Sequence, residues 1–157
     1  MLIRVLRKYT PFGLVTFFIT AILLWIKPII SSELPGIYFD PNPTPLYYGI
    51  AYLIGSESFR LLCKIIGFFL VLFQALLFNE ILNRSNLLGS RSYLPGIIFL
   101  LLSSVFVEVQ LLHPILFSNI FLLFAWGRII GTSEKQNSNE AYFNGAFLIG
   151  LATLFYP

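Results

Sequence analysis

The stretch from Leu111 to Ile130, LLHPILFSNIFLLFAWGRII, constrains this chain more than any other. Its 20 residues carry one formal charge, Arg128, near the last turn. As an α-helix rising about 1.5 Å per residue it measures roughly 30 Å, the thickness of a bilayer's hydrocarbon core. It reads as a transmembrane helix, with His113-Pro114 at one end and Trp126 and Arg128 as anchors in the opposite headgroup layer.

Composition points the same way. Of 157 residues, 57% are hydrophobic and 11% charged, too apolar a surface for one small soluble core to hide, so lipid is the expected solvent. The net charge of +3 comes from basic residues scattered singly between apolar blocks, which suits headgroups and argues against a nucleic-acid partner. One cysteine, Cys63, excludes an intrachain disulfide and a cysteine-based metal cage.

Along the chain, the pattern predicts an all-α polytopic membrane protein of one domain, with four full spans and a short fifth. After a basic lead-in, span one covers about 12–30, an uncleaved first helix with Trp25 as an aromatic anchor near its far end. Residues 31–56 form an outer loop: four prolines and a glycine break the pattern up to Pro45, and Leu46 to Ile54 is too short to cross. It is expected to lie along the interface with the hydroxyls of Tyr47, Tyr48 and Tyr52 in water. Spans two, three and four follow at about 57–83, 93–109 and 111–130, the last two as an antiparallel hairpin. The fifth segment, 142–157, is about 24 Å long as a helix, marginal for a crossing.

Counting lysine and arginine sets the orientation. With the N-terminus inside, Arg4, Arg7, Lys8, Arg84, Arg91, Arg128 and Lys135 lie on the inner side against Lys27, Arg60 and Lys64 outside. The expected location is a bacterial inner membrane with a cytoplasmic N-terminus.

Few polar groups fall at membrane depth. Gln74, Ser103, Ser104, Ser118 and Asn119 sit where hydrogen bonds between helices help packing. Asp40, in YFDPNP, is either a turn residue or a carboxylate available to chemistry. Glu108 lies at the end of the hairpin, where a carboxylate must reach water, a partner or a cation. His113 could pair with Glu108, although two such groups without a third ligand predict no metal site. Glu80 and Arg84 have the spacing of a helical ion pair, flanked by Asn79 and Asn83 as interface anchors. No phosphate-binding glycine loop, zinc-protease pattern or nucleophile triad is present, and no cofactor is expected.

Several blocks resemble the N-terminal half of an uncharacterised family of Bacteroidota inner-membrane proteins, some labelled beta-carotene monooxygenase. They are MLIRVLRKYTP, NPTPLYY, LFQALLFNEILNR, SYLPGIIFLLLSSVF, LLHPILFSNIFLLFAWGRI and GAFLIGLATLFYP. The resemblance implies that this chain is part of a longer protein with more spanning helices. The label implies histidine-ligated iron, which a single histidine cannot supply. The chain is also similar to membrane glycosyltransferases of the C type, in which a catalytic acid in the first outer loop works with a second acidic position between helices three and four. Asp40 and Glu108 stand in matching places, without the paired acids or the DxD of that family.

Two expectations result. One is a non-catalytic subunit or scaffold with other membrane subunits as partners. The other is a transferase module using a lipid-linked sugar, a polyprenyl-phosphate donor, at the periplasmic face, with Asp40 as base and Glu108 as metal or phosphate partner.

Overall fold

The computed structural model describes residues 11–31, 35–38, 44–54, 57–85, 89, 91–130 and 138–156. Among them the regular structure is helical: α1 (Pro11–Ile30), α2 (Pro45–Ile54), α3 (Arg60–Arg84), α4 (Leu94–Ser104), α5 (Pro114–Ile130) and α6 (Ser138–Thr153). Single 3-10 turns at Glu57–Phe59 and Val107–Gln110 precede α3 and α5. Two of these helices, α1 and α3, have the length and apolar composition to cross a bilayer.

α3 is the central element, and one stripe of it explains why. Lys64, Gly67, Val71, Gln74, Ala75, Asn79 and Asn83 recur every three or four residues and are all buried. That is the spacing of one helix face. The matching stripe on α1 is Gly13, Phe17, Ala21 and Trp25, four residues apart. Phe17, Ala21, Trp25, Val71, Ala75, Leu100 and Leu116 form the main core where α1, α3, α4 and α5 meet. α4 approaches so closely at Gly96 that an added Cβ would lie 2.8 Å from the Phe17 ring and 3.1 Å from the Ala75 carbonyl.

The predicted third span, 93–109, is not one helix. α4 has 11 residues, about 16 Å, and then the backbone leaves helical geometry. The N–H groups of Val105 and Phe106 turn back to the carbonyls of Leu102 and Ser103, which tightens and ends the helix. Phe106 and Leu111 are extended on either side of the 3-10 turn. The fourth helix consequently starts at Pro114 rather than Leu111 and has 17 residues, about 25 Å. The last begins at Ser138, four residues before the expected Tyr142, and ends at Thr153.

Because α4 stops early, the α4–α5 connection is recessed. Leu111's carbonyl lies 3.6 Å from where a Cβ on Gly67 would be, seven residues or about 10 Å along α3 from its start. Backbone at such depth needs partners within the protein. Residues 35–38 supply them: Leu112 N–H donates to the Gly36 carbonyl and Tyr38 N–H to the Leu112 carbonyl, both at 3.1 Å, forming an isolated parallel bridge between Ile37 and Leu112. α2 closes over it. The buried Tyr47 hydroxyl lies 2.6 Å from the Tyr38 carbonyl and 2.8 Å from the Leu112 carbonyl, so both share its one proton. The expectation of three wet tyrosines thus fails at Tyr47, while Tyr48 and Tyr52 are exposed.

The helix ends sort into two groups, as an antiparallel arrangement requires. At one end Lys64 meets the end of α1, the rings of Tyr38 and Tyr156 both pack near His113, and Thr44 Oγ1 donates to the Phe155 carbonyl at 2.8 Å. At the other, Asn83 pairs with Ser92 and Gly127 packs on Ile81.

Candidate functional site

Lys64 is the first surprise of the polar stripe. Predicted as an outer headgroup contact, it is 3% exposed, and its ammonium donates to the carbonyls of Pro28, at 3.0 Å, and Ser31. The last carbonyls of a helix have no intrahelical donor, and a cation there also suits the helix dipole. Pro28 sits one turn above, buried in α1.

Deeper on the same face, Gln74 is 1% exposed. Its Nε2 donates to the Leu116 carbonyl at 2.8 Å, and its Oε1 accepts from Asn119 Nδ2 at 2.7 Å. These bonds tie α3 to α5, as predicted for Gln74 and Asn119. Asn79 and Asn83, predicted as interface anchors, are instead buried. Asn79 Oδ1 accepts from the Gly96 N–H at the start of α4, and Asn83 forms a two-bond amide pair with the Ser92 backbone. Lys64, Asn79 and Asn83 therefore satisfy backbone at a helix terminus or turn, whereas Gln74 bonds a carbonyl and a side chain within α5.

Three serines depart from expectation. Ser103 and Ser104 donate to carbonyls of their own helix, Phe99 at 2.7 Å and Leu101 at 2.8 Å, the usual fate of a hydroxyl in a helical turn. Ser118 is 5% exposed and makes no hydrogen bond to another described residue. It lines a cavity of about 430 Å³ beside α5 that also exposes Gln74, Ser103, Asn119, Phe99 and Leu122, with Tyr156 at its edge. The cavity lies where α4 ends, between Phe99 and Ser103 on that helix and Ser118, Asn119 and Leu122 on α5. Four of the five residues predicted for helix packing thus line one groove, a convergence that their sequence positions alone do not reveal.

The aromatic anchors divide. Trp126 is 38% exposed and packs its ring 5.7 Å from Phe78, and Arg128 is exposed in the last turn of α5. Trp25 is not an interface anchor: it is 1% exposed, 6.1 Å from the Phe68 ring, and its indole N–H has no partner among the described residues. Its place in the four-residue stripe of α1 turns it inward.

The expected acid groups do not form a couple. Glu108 is exposed on the 3-10 turn. His113 is buried, and its Nδ1 accepts the Ile115 N–H at 3.1 Å, capping α5 ahead of Pro114. Its ring lies tilted against that of Tyr38, with centroids 4.3 Å apart. Asp40 lies outside the described residues, as do Arg4, Arg7, Lys8 and Lys135 of the charge count. Glu80 and Arg84 form the predicted pair at 2.7 Å, at the surface. Among the described residues no three metal-ligating side chains come together.

No family model matches this chain, and no curated protein or solved structure matches it either.

Proposed function

We propose that this chain is a subunit of a bacterial inner-membrane assembly, with its N-terminus in the cytoplasm and its five longer apolar segments crossing or entering the bilayer. The exposed side of α1 favours lipid as the medium, since Val15, Ile19, Ile22, Leu23 and Ile26 all point outward. The observation that carries the subunit role is Asn144. It is exposed on α6, six residues into the helix, among the outward rings of Tyr142, Phe143 and Phe147, and it bonds to no other described residue. An amide in hydrocarbon costs a few kcal/mol unless another helix satisfies it.

The test is extraction in mild detergent followed by native electrophoresis. The chain is expected in a stoichiometric complex that Asn144→Leu dissolves while leaving the chain folded. A monomer in both cases overturns the role.

One observation favours the transferase reading as a second possibility. The Ile37–Leu112 bridge joins the first outer segment to the α4–α5 connection, and in the chain it is flanked by Asp40 and Glu108. A module acting on a lipid-linked sugar needs those two segments together. Asp40→Asn with Glu108→Gln should then change the surface-glycan profile; an unchanged profile with the protein still inserted removes this reading.

A further inference from the structure

We propose that the groove beside α5 binds the polar end of a neutral single-chain lipid, a monoacylglycerol or a close chemical relative. The inference rests on the membrane reading above but not on the subunit role.

The lining sets the chemistry. It offers two amides, two serine hydroxyls and a tyrosine among aliphatic and aromatic side chains, and among the described residues it holds no lysine, arginine, aspartate or glutamate. A phosphate or carboxylate headgroup drawn into it would lose water without gaining a counter-charge. A hydroxyl group meets no such penalty.

Hydrogen-bonding capacity is also left open at one place. Ser118 is more than nine-tenths buried with its hydroxyl uncommitted among the described residues. Its neighbour Asn119 spends one N–H on Gln74 and leaves Oδ1 unengaged among the same residues. A donor on Ser118 and an acceptor on Asn119 therefore both line the groove, the asparagine amide being held by its bond to Gln74. Vicinal hydroxyls of a glyceride match that pair.

Depth and size fit the same occupant. Ser118 lies four residues into α5, about 6 Å below its start, and Leu122 continues the groove about 6 Å further. A polar head at Ser118 would lay the start of its chain along Leu122 and Phe99. A volume of about 430 Å³, open on one side, takes a glycerol head with the start of its chain.

The experiment uses the full chain in lipid nanodiscs with a monoacylglycerol carrying a mid-chain diazirine, and maps photo-adducts by peptide mass spectrometry. Adducts should concentrate between Phe99 and Leu122. Unlabelled monooleoylglycerol should compete at least tenfold better than oleoyl lysophosphatidate. Ser118→Ala should cut groove labelling about five- to tenfold at unchanged thermal stability, and Leu122→Trp, which fills the groove, should abolish it. Adducts spread evenly over α1 and α6, equal competition by the two lipids, or full labelling of Ser118→Ala would each overturn the proposal. Monodispersity without detergent would be a separate failure, that of the membrane reading itself.

Discussion

Gln74 and Asn119 are joined side chain to side chain across 2.7 Å, and the same glutamine holds the Leu116 carbonyl one turn earlier on α5. α3 and α5 are therefore coupled by one amide acting as donor and acceptor at once.

A double-mutant cycle should expose that coupling. Gln74→Leu is expected to destabilise by about 1 to 2 kcal/mol and Asn119→Leu by less, with the double variant falling short of the sum by about 0.6 to 1.7 kcal/mol. Unfolding can be followed with a fluorogenic maleimide, because Cys63 is the chain's one cysteine and is buried. Strict additivity would mean that the two amides act independently.

Lys64→Met should cost more than its charge suggests. Hydrogen bonds to charged groups contribute about 1.5 to 3 kcal/mol, and the loss leaves the Pro28 and Ser31 carbonyls without this donor. Lys27→Met, altering an exposed lysine in the same turn of α1, is the control and should shift the melting curve by less than about 0.5 kcal/mol. Equal effects would return Lys64 to the role of a headgroup contact.

Gly36 is packed against backbone rather than side chain. A Cβ there would lie 2.6 Å from the Arg60 carbonyl oxygen, so Gly36→Ala must displace the loop or the start of α3. Overpacking of this kind costs about 1 to 3 kcal/mol. The expected signature is faster hydrogen exchange at the Leu112 and Tyr38 amides, whose carbonyl partners belong to the bridge.

Tyr47→Phe keeps the ring and removes the shared proton. The loss is expected at about 0.5 to 1.5 kcal/mol, the net worth of one neutral hydrogen bond, with protection of the Leu112 amide reduced. Tyr52→Phe, on the exposed face of α2, should change neither.

Length and apolarity made α1 and α3 legible in the sequence, since spans of 12–30 and 57–83 fall within three residues of the observed Pro11–Ile30 and Arg60–Arg84. They failed at the third helix. GIIFLLLSSVFV is apolar to its end, and hydrophobicity does not register that the backbone leaves the helix at Val105. The polar stripe of α3 was hidden for a related reason: Lys64 and Asn83 lie near helix ends, where charge and polarity read as contact with water or headgroups. Their helical spacing with Gly67, Val71 and Ala75 was the available signal, as the spacing of Gly13, Phe17 and Ala21 was for Trp25. The groove had no such signal, because it depends on how far α4 reaches beside α5.

Sixty-five residues separate Tyr47 from Leu112, and the cradle made by residues 36–38 and Tyr47 is synthesised first. On the membrane reading, this imposes a sequence of events on biogenesis. The tip of the α4–α5 hairpin can shed its hydration only on reaching a receptacle that the ribosome released much earlier. Nascent chains lacking that receptacle should stall with the hairpin tip still solvated, and quality-control proteases would meet them there.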